Sequence, residues 1–408
     1  MALETKPYKG TRDFYPEDIR LRNWMFSIMR KVCESYGYEE YDGPVLEPIE
    51  IYTAKTSDEI VNEQSFSFTD RGQRKVIMRP EITPTVSRMV AARRQELGYP
   101  LRLYSLANFF RYEKPQKGRL REFYQLNADI FGIDGIDADV EIIQLADSIM
   151  KAFGAKSESY EIRINSRKLL DKRVKESEPK IAAENVIKLI DGFEKLSKDD
   201  FKEKIAEAVG KPDKLYEFLT YDGASEELKE IVTMCDGLGI KLVPKYSLAR
   251  GFDYYTDIVF EVFDKNPENN RSLFGGGRYD GLVGEFGVEP VPTVGFGMGD
   301  ITLENFLRSN QLIPDFKTAT DLMVIGVAVD YTELQKIANE LRQKGLNVAI
   351  DSTERKIDKK IKAADKLGVE NVAFVGNDEL KTGKYKLKNL RTGKEQTLSL
   401  DQLPKKLN

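Results

Sequence analysis

Histidine is missing altogether from a chain of 408 residues. That absence removes Ser-His-Asp and Cys-His catalysis, imidazole-ligated metal and histidine general bases together. The two cysteines, Cys33 and Cys235, lie far apart and form no CxxC pair, so no disulfide framework is expected and a reducing cytoplasm is the default. No run of about 18 apolar residues is present, which leaves no candidate membrane span. The opening MALETKPYKGTRDF has no apolar signal core. The phosphate loop GxxxxGK[ST] and the dinucleotide fingerprint are also missing. Net charge is −4, so a nucleic-acid partner would need a local basic surface. Chemistry therefore has to rest on carboxylates, arginine, lysine, tyrosine, backbone groups and Mg²⁺.

What is present describes a soluble globular protein, with 41% hydrophobic and 32% charged residues. Its length suits two or three domains at roughly 150 residues each. Apolar periodicity predicts helices over Glu17–Tyr36, Thr83–Leu97 and Asp137–Phe153. Thr83 is the expected N-cap of the second, with Pro84 at its first position. Ser65–Asp70 and Lys75–Arg79 read as a hairpin. Residues 166–238, rich in Lys, Glu and Asp with helical periodicity, read as a helical insertion. Residues 310–320 are a linker candidate. In residues 321–408 short strands alternate with helices, which predicts parallel pairing. That last segment carries about +4 of net charge and the rest about −8. Its basic clusters, Arg355–Lys362 and Lys381–Lys388, make either an RNA-facing surface or a solvated one.

The stretch Asn108–Gly132 is the most unusual. Two strand-like runs, Leu103–Glu113 and Arg121–Phe131, flank a polar loop. Period-two alternation groups Phe109, Arg111 and Glu113 on one strand. On the other it groups Arg121, Phe123, Gln125, Asn127 and Asp129, opposite an apolar face of Tyr124, Leu126, Ala128 and Ile130. The mixed face is either a solvated exterior or a ligand strip; Phe123 among polar groups favours a strip that stacks a heteroaromatic ring while Arg111 binds an anion and Asp129 a donor.

Three further groups offer chemistry. Arg79-Pro-Glu81-Ile-Thr83 sets a carboxylate and a hydroxyl at a helix start, suited to an ammonium ligand or to simple capping. Leu248–Thr256 combines Arg250 with Tyr254 and Tyr255, an anion contact and pocket wall or an ordinary strand start. Gly275–Gly281 permits close backbone approach to a ligand, or is a tight turn. Taken together they suit activation of an amino acid by a nucleotide. A carboxylate attacking an α-phosphate needs arginines where charge develops.

These segments resemble, in order and along nearly the whole chain, the histidyl-tRNA synthetases, a class II aminoacyl-tRNA synthetase family. The resemblance is carried by Lys9–Pro16, RPExT, FRYEKPQKGRLREFYQ, LARGFDYYT, GGGRYDGL and the last α/β segment. It implies an α+β fold: a six- or seven-stranded antiparallel catalytic sheet with flanking helices over residues 1–165 and 239–309, a helical insertion at 166–238, and an anticodon-binding α/β domain at 321–408. It implies ATP and histidine as substrates, Mg²⁺ on the β,γ-phosphates, tRNA(His) as partner, and a homodimer through the region of Pro44. By the same resemblance Arg111 and Arg250 meet the α-phosphate, Glu113 and Phe123 the adenine, and Arg119 the γ-phosphate or the acceptor end. Glu81, Thr83 and Gln125 hold the α-amino and carboxylate ends of histidine; Asp129 faces the imidazole; Tyr254, Tyr255 and Tyr279 complete the pocket. One position departs. The family's third motif usually places an arginine at the ATP where this chain has Thr302: either another cation such as Arg119 or Arg278 substitutes, or ATP binds differently, or activation is impaired, and a working enzyme with a rearranged ATP site is expected. The alternatives are a non-catalytic regulatory subunit of ATP phosphoribosyltransferase and a non-catalytic RNA-binding paralogue.

Overall fold

A twenty-residue helix, Pro16–Ser35, opens the ordered structure. Proline starts it without losing a hydrogen bond, and its acids lie in the first turn, where the helix dipole favours them. Leu21, Met25, Phe26, Met29 and Cys33 bury one face. In this computed structural model, residues 3–53, 64–114, 118–193, 196–249, 254–269 and 271–407 are described. They form two units, Met1–Ile313 and Pro314–Asn408.

The first unit contains strands β1 (Glu39–Glu40), β2 (Leu46–Pro48), β3 (Phe66–Thr69), β4 (Lys75–Met78), β5 (Leu101–Phe110), β6 (Glu122–Phe131), β7 (Tyr160–Ser166), β8 (Leu242–Pro244), β9 (Ile258–Asp264), β10 (Ser272–Arg278) and β11 (Thr293–Gly299). Eight of them form one sheet in the order β1-β5-β6-β11-β10-β9-β7-β8. Its inner six are mutually antiparallel. The short β1 and β8 add parallel edges, so the sheet is wider than expected and mixed at its margins. β2, β4 and β3 make a small separate sheet. Among the described residues, five α-helices between Arg167 and Gly237 lie between β7 and β8 in sequence.

The hairpin β5–β6 pairs Phe109 with Phe123, Ala107 with Gln125 and Leu103 with Asp129. Leu126, Ala128 and Ile130 are fully buried on its apolar face. Three details differ from expectation. β5 stops at Phe110, although the Arg111 N–H still bonds Arg121 O at 2.9 Å, and the Arg111 side chain donates from Nε to the Pro80 carbonyl at 2.9 Å. Arg121 leaves the polar strip: its guanidinium donates to Glu113 O and Tyr8 Oη, and its N–H holds Gly10 O at 2.7 Å. Thr83 lies inside the helix Thr83–Ala92, whose N-cap is Ile82, and makes no capping bond.

The second unit has β12 (Leu322–Gly326), β13 (Val348–Asp351), β14 (Asn371–Val375), β15 (Lys384–Asn389) and β16 (Glu395–Ser399), ordered β13-β12-β14-β15-β16. The first three pair in parallel, as alternation with helices requires. β15 and β16 extend the sheet antiparallel. Lys384 and Lys386 alternate outward with buried Tyr385 and Leu387. Lys360 does not join a basic surface: it is buried and donates to Gly326 O at 2.7 Å.

Arg278, offered by sequence as a substitute cation for ATP, is instead a buried tie at the end of β10. It is 5% exposed, with Nη2 2.5 Å from Asp139 Oδ2 and further bonds to Ile133 O and Gly135 O. This pins the sheet to the helix Ile136–Ala152. Arg278→Met would leave the Asp139 carboxylate buried and uncompensated, at a cost of about 3–5 kcal/mol. Arg93→Ala, which breaks an exposed pair with Glu96, would cost less than about 1 kcal/mol. Urea unfolding of the two variants measures the contrast; equal small losses would contradict a structural role for Arg278.

Candidate active site

Polar side chains at the middle of a sheet need room that ordinary neighbours deny them. Here β11 supplies it. Gly295, Gly297 and Gly299 lie directly across from Asp129, Asn127 and Gln125 of β6. A Cβ on Gly295 would run into Asp129 Oδ1, and one on Gly297 into Gln125 Nε2. On β10, Gly275 and Gly277 pair with Gly297 and Gly295 and extend the same Cβ-free floor. A Cβ on Gly277 would sit 2.9 Å from the Tyr255 ring. The glycine-rich stretch is therefore strand and cavity floor; the tight-turn reading does not apply to Gly275–Gly277.

Over this floor lies a cavity that opens to the surface. It is lined by Glu81, Thr83, Arg111, Gln125, Asn127, Asp129, Tyr254, Tyr255 and Tyr279, with Phe296 and the glycines. Eight of the residues singled out from sequence thus meet in one place, drawn from β6, β10–β11, the helix start at Thr83 and the segment before β9.

Two tyrosine–carboxylate pairs set its electrostatics. Tyr254 donates to Glu81 Oε2 at 2.9 Å. Burial, then the Glu81 carboxylate, hold the Tyr254 phenol well above its ordinary range, so it stays protonated. Tyr279 donates to Asp129 Oδ1. Asp129 is 2% exposed, and burial pushes its carboxyl up to about 7 against the opposing pull of the Tyr279 bond. Among the described residues its other oxygen, Oδ2, has no hydrogen-bond partner, and neither has Asn127 Oδ1, 5% exposed beside it. Tyr254 and Tyr279 pack with ring centroids 5.6 Å apart, which keeps the two pairs adjacent.

The remaining candidates lie around this cavity. The Arg111 guanidinium is 5.2 Å from the centre of the Phe123 ring, and Phe123 packs on Phe109 at 5.8 Å. Arg119 pairs with Glu113 at 3.1 Å and is largely exposed. Thr302, in the first turn of the helix Asp300–Ser309, gives its hydroxyl to Leu273 O at 2.6 Å. Arg250 lies outside the described residues. Sequence alternation put Asn127 on the polar strip without a role. Two other residues carried no sequence signal: Tyr41, whose buried hydroxyl is unpartnered among the described residues, and Arg271. A Cβ on Gly118 would be 3.1 Å from Arg271 Nη1 and 3.7 Å from Thr302 Cγ2, so this arginine stands beside Thr302.

Asp129 makes stability depend on pH with a definite sign. Unfolded, its carboxyl ionises near 4; folded, near 7. Between those values the folded state keeps a proton that the unfolded state has lost, so stability falls as pH rises. Above 7 the cost is constant, of the order of 4 kcal/mol. The neutral isostere Asp129→Asn should therefore gain melting temperature over the unsubstituted protein as pH goes from 5 to 8. A pH-independent difference in thermal scans would show that the carboxyl is not desolvated.

Comparison with known proteins agrees with this geometry. The family model "Histidyl-tRNA synthetase" matches residues 10–300, and "Anticodon binding domain" matches 321–408. The chain is 41% identical to a histidine–tRNA ligase from Leptospira biflexa, covering 99% of this chain and 98% of that one. It is 36% identical to one from Haloarcula marismortui, over 97% and 96%. The crystal structure of histidyl-tRNA synthetase from Nostoc sp. PCC 7120 shares the fold, with a TM-score of 0.80 at 24% identity over 100% of this chain and 99% of that one. The chain belongs to the histidyl-tRNA synthetase family.

Proposed function

We propose a division of labour among these side chains for the reaction of the family, the ATP-dependent joining of histidine to tRNA, which this chain catalyses as an aminoacyl-tRNA ligase. The cavity over the glycine floor takes histidine. Glu81, held by Tyr254, receives the α-ammonium; Thr83 and Gln125 hold the same end of the molecule. Asp129, held by Tyr279, receives the ring, with Tyr255 as wall. The observation that carries this reading is the buried, half-satisfied Asp129 carboxyl at the cavity wall. A pocket with an unpaired buried acceptor rejects apolar side chains of similar shape, because they would leave it unpaired.

ATP lies along Arg111, Phe123, Glu113 and Arg119. Phe123 takes one face of the adenine and Glu113 its edge. Arg111, fixed by its bond to Pro80 O and lining the cavity, meets the α-phosphate. The histidine carboxylate forms a bond to that phosphorus while the bond to pyrophosphate breaks. Arg111 and Arg250 balance the charge that gathers on the phosphoryl oxygens as this happens. The 3′-terminal hydroxyl of tRNA(His) then attacks the acyl carbon and AMP leaves. With no imidazole anywhere in the chain, the proton of that hydroxyl goes to an acceptor other than histidine. Mg²⁺ would accompany the nucleotide and offset the charge of its phosphates.

Thr302 contributes structure and no charge. Arg271 takes up the cationic contact, reaching the phosphates beside the loop at Gly118. The second unit reads the anticodon. Homodimerisation is supported by exposed Val45 and Leu46 beside Pro44, and Phe68 on the same small sheet. Among the described residues no helix is long and apolar enough to cross a membrane, and both cysteines are buried free thiols, which suits the cytoplasm where tRNA is charged. The regulatory-subunit and RNA-binding readings have no support from a pocket that keeps Glu81, Arg111 and Gln125 together.

Rapid-quench measurement of adenylate formation tests the assignments. Arg111→Ala should slow the step by about 10²–10³-fold. Arg271→Ala should raise the KM for ATP about tenfold or more while leaving that for histidine unchanged, and Thr302→Arg in the same chain should restore much of the loss. An unchanged rate in the first variant, or an unchanged KM for ATP in the second, contradicts the respective role.

A further inference from the structure

We infer that Asp300 is a positioning residue for the nucleotide: its carboxylate, held by Arg12, stands in for a strand beside the start of β6 and so fixes the peptide unit that carries Phe123. The inference rests on the reading of Phe123 as the ring against the adenine. It starts where two strands part. β11 follows β6 only as far as Gly299, which pairs with Gln125. β6 begins earlier, at Glu122. Over residues 122–124 its β5 side is paired: Phe110 with Glu122, Phe109 with Phe123 and Asn108 with Tyr124. Its other side has lost its strand.

Backbone N–H groups on that side must find acceptors elsewhere. Gly10 O accepts from the Arg121 N–H at 2.7 Å and from the Glu122 N–H at 3.2 Å. Asp300 Oδ1 accepts from the Tyr124 N–H at 3.0 Å. Glu122 and Tyr124 are alternate residues, so their N–H groups leave the same edge. Asp300 is the first residue of its helix, where the dipole favours an acid. It is 4% exposed, and its second oxygen meets Arg12 Nη2 at 2.6 Å. Burial raises the Asp300 carboxyl, and the Arg12 guanidinium opposes that, which favours the charged acceptor. A hydrogen bond to a charged acceptor is roughly twice as strong as one to a neutral group.

The Tyr124 N–H belongs to the peptide plane that starts at the Phe123 carbonyl, and that plane is rigid. Holding it sets the direction of the Phe123 side chain. Behind the strand, the Tyr124 ring packs against Phe14 at 6.0 Å and Phe26 at 5.7 Å, with the Arg22 guanidinium 4.9 Å from its centre. Arg12 lies over Phe14 at 4.8 Å. The segment from Gly10 to Phe14 therefore grips the start of β6 from its edge and from its rear. Gln125, Asn127 and Asp129 need no such support, because they pair with β11 directly. Loss of the Asp300 carboxylate should loosen Phe123 and leave the amino-acid cavity in place.

The test measures KM for ATP and for histidine in ATP–pyrophosphate exchange. Phe123→Ala is scored first: an unchanged KM for ATP there refutes the parent reading, and the inference falls with it. Asp300→Ala should raise KM for ATP about fivefold or more and leave KM for histidine within about twofold. Arg12→Met combined with Asp300→Asn discards both charges but keeps an oxygen for the Tyr124 N–H, so its KM for ATP should lie within about threefold of the unsubstituted value. With Phe123→Ala impaired, an unchanged KM for ATP in Asp300→Ala, equal rises for both substrates, or a double variant as poor as Asp300→Ala would overturn the assignment alone. Should Asp300→Ala fold poorly, Arg12→Met decides from the partly exposed end of the pair: a rise in KM for ATP alone supports the role, and an unchanged value overturns it.

Discussion

Three polar side chains in the middle of a sheet depend on two missing Cβ atoms. Gln125, Asn127 and Asp129 are placed by the alternation of β6, but they can lie over the sheet only because Gly297 and Gly295 leave them room. A Cβ at Gly295 would push Asp129 out of position, and one at Gly297 would displace Gln125. The cavity, its charge and its choice of ligand follow from that constraint. Glycine in a strand interior weakens the strand. Here the cost is offset by neighbours: β11 lies between β6 and β10 in the sheet interior, bonded on both sides, and Val294, Phe296 and Met298 bury its other face.

The second theme is how a chain without histidine recognises histidine. Imidazole chemistry inside the protein is replaced by buried carboxyls clamped by tyrosines. Each clamp holds a carboxyl in a fixed orientation, and burial keeps the tyrosines protonated so that they act as donors. The arginines divide by burial. Arg278 and Arg79 are structural: the first is tied to Asp139, the second to Asp42, Gly43 O and Asn108 O. Arg119 is largely exposed, and Arg111 lies at the cavity wall; these and Arg271 are the cations proposed for the polyphosphate.

Much of this was legible in sequence, for a physical reason. Period-two alternation fixed the strip Phe123–Asp129 and its apolar reverse, and the order of the short motifs fixed the family. Other features depend on tertiary neighbours that no local pattern reports. Thr83 has the composition of an N-cap, yet the helix begins one residue earlier with Ile82 as its cap, and the hydroxyl lines the cavity. Arg278 looked available because its acid partner, Asp139, is distant in sequence. Lys360 sits in a run of lysines but is drawn inward by the carbonyl of Gly326. Arg271 gave no signal, since its nearness to Thr302 comes from the packing of β10 against the helix that follows β11. The antiparallel pair β15–β16 was hidden by lysines alternating outward along β15.

We propose that one cavity, walled by Asp129, Asn127 and Tyr279 over a glycine floor, selects the amino acid. ATP–pyrophosphate exchange with each of the twenty amino acids, under the same conditions, tests it most directly. Histidine alone should support exchange. Exchange with an apolar or acidic amino acid at comparable efficiency, or none with histidine in folded protein, would contradict it.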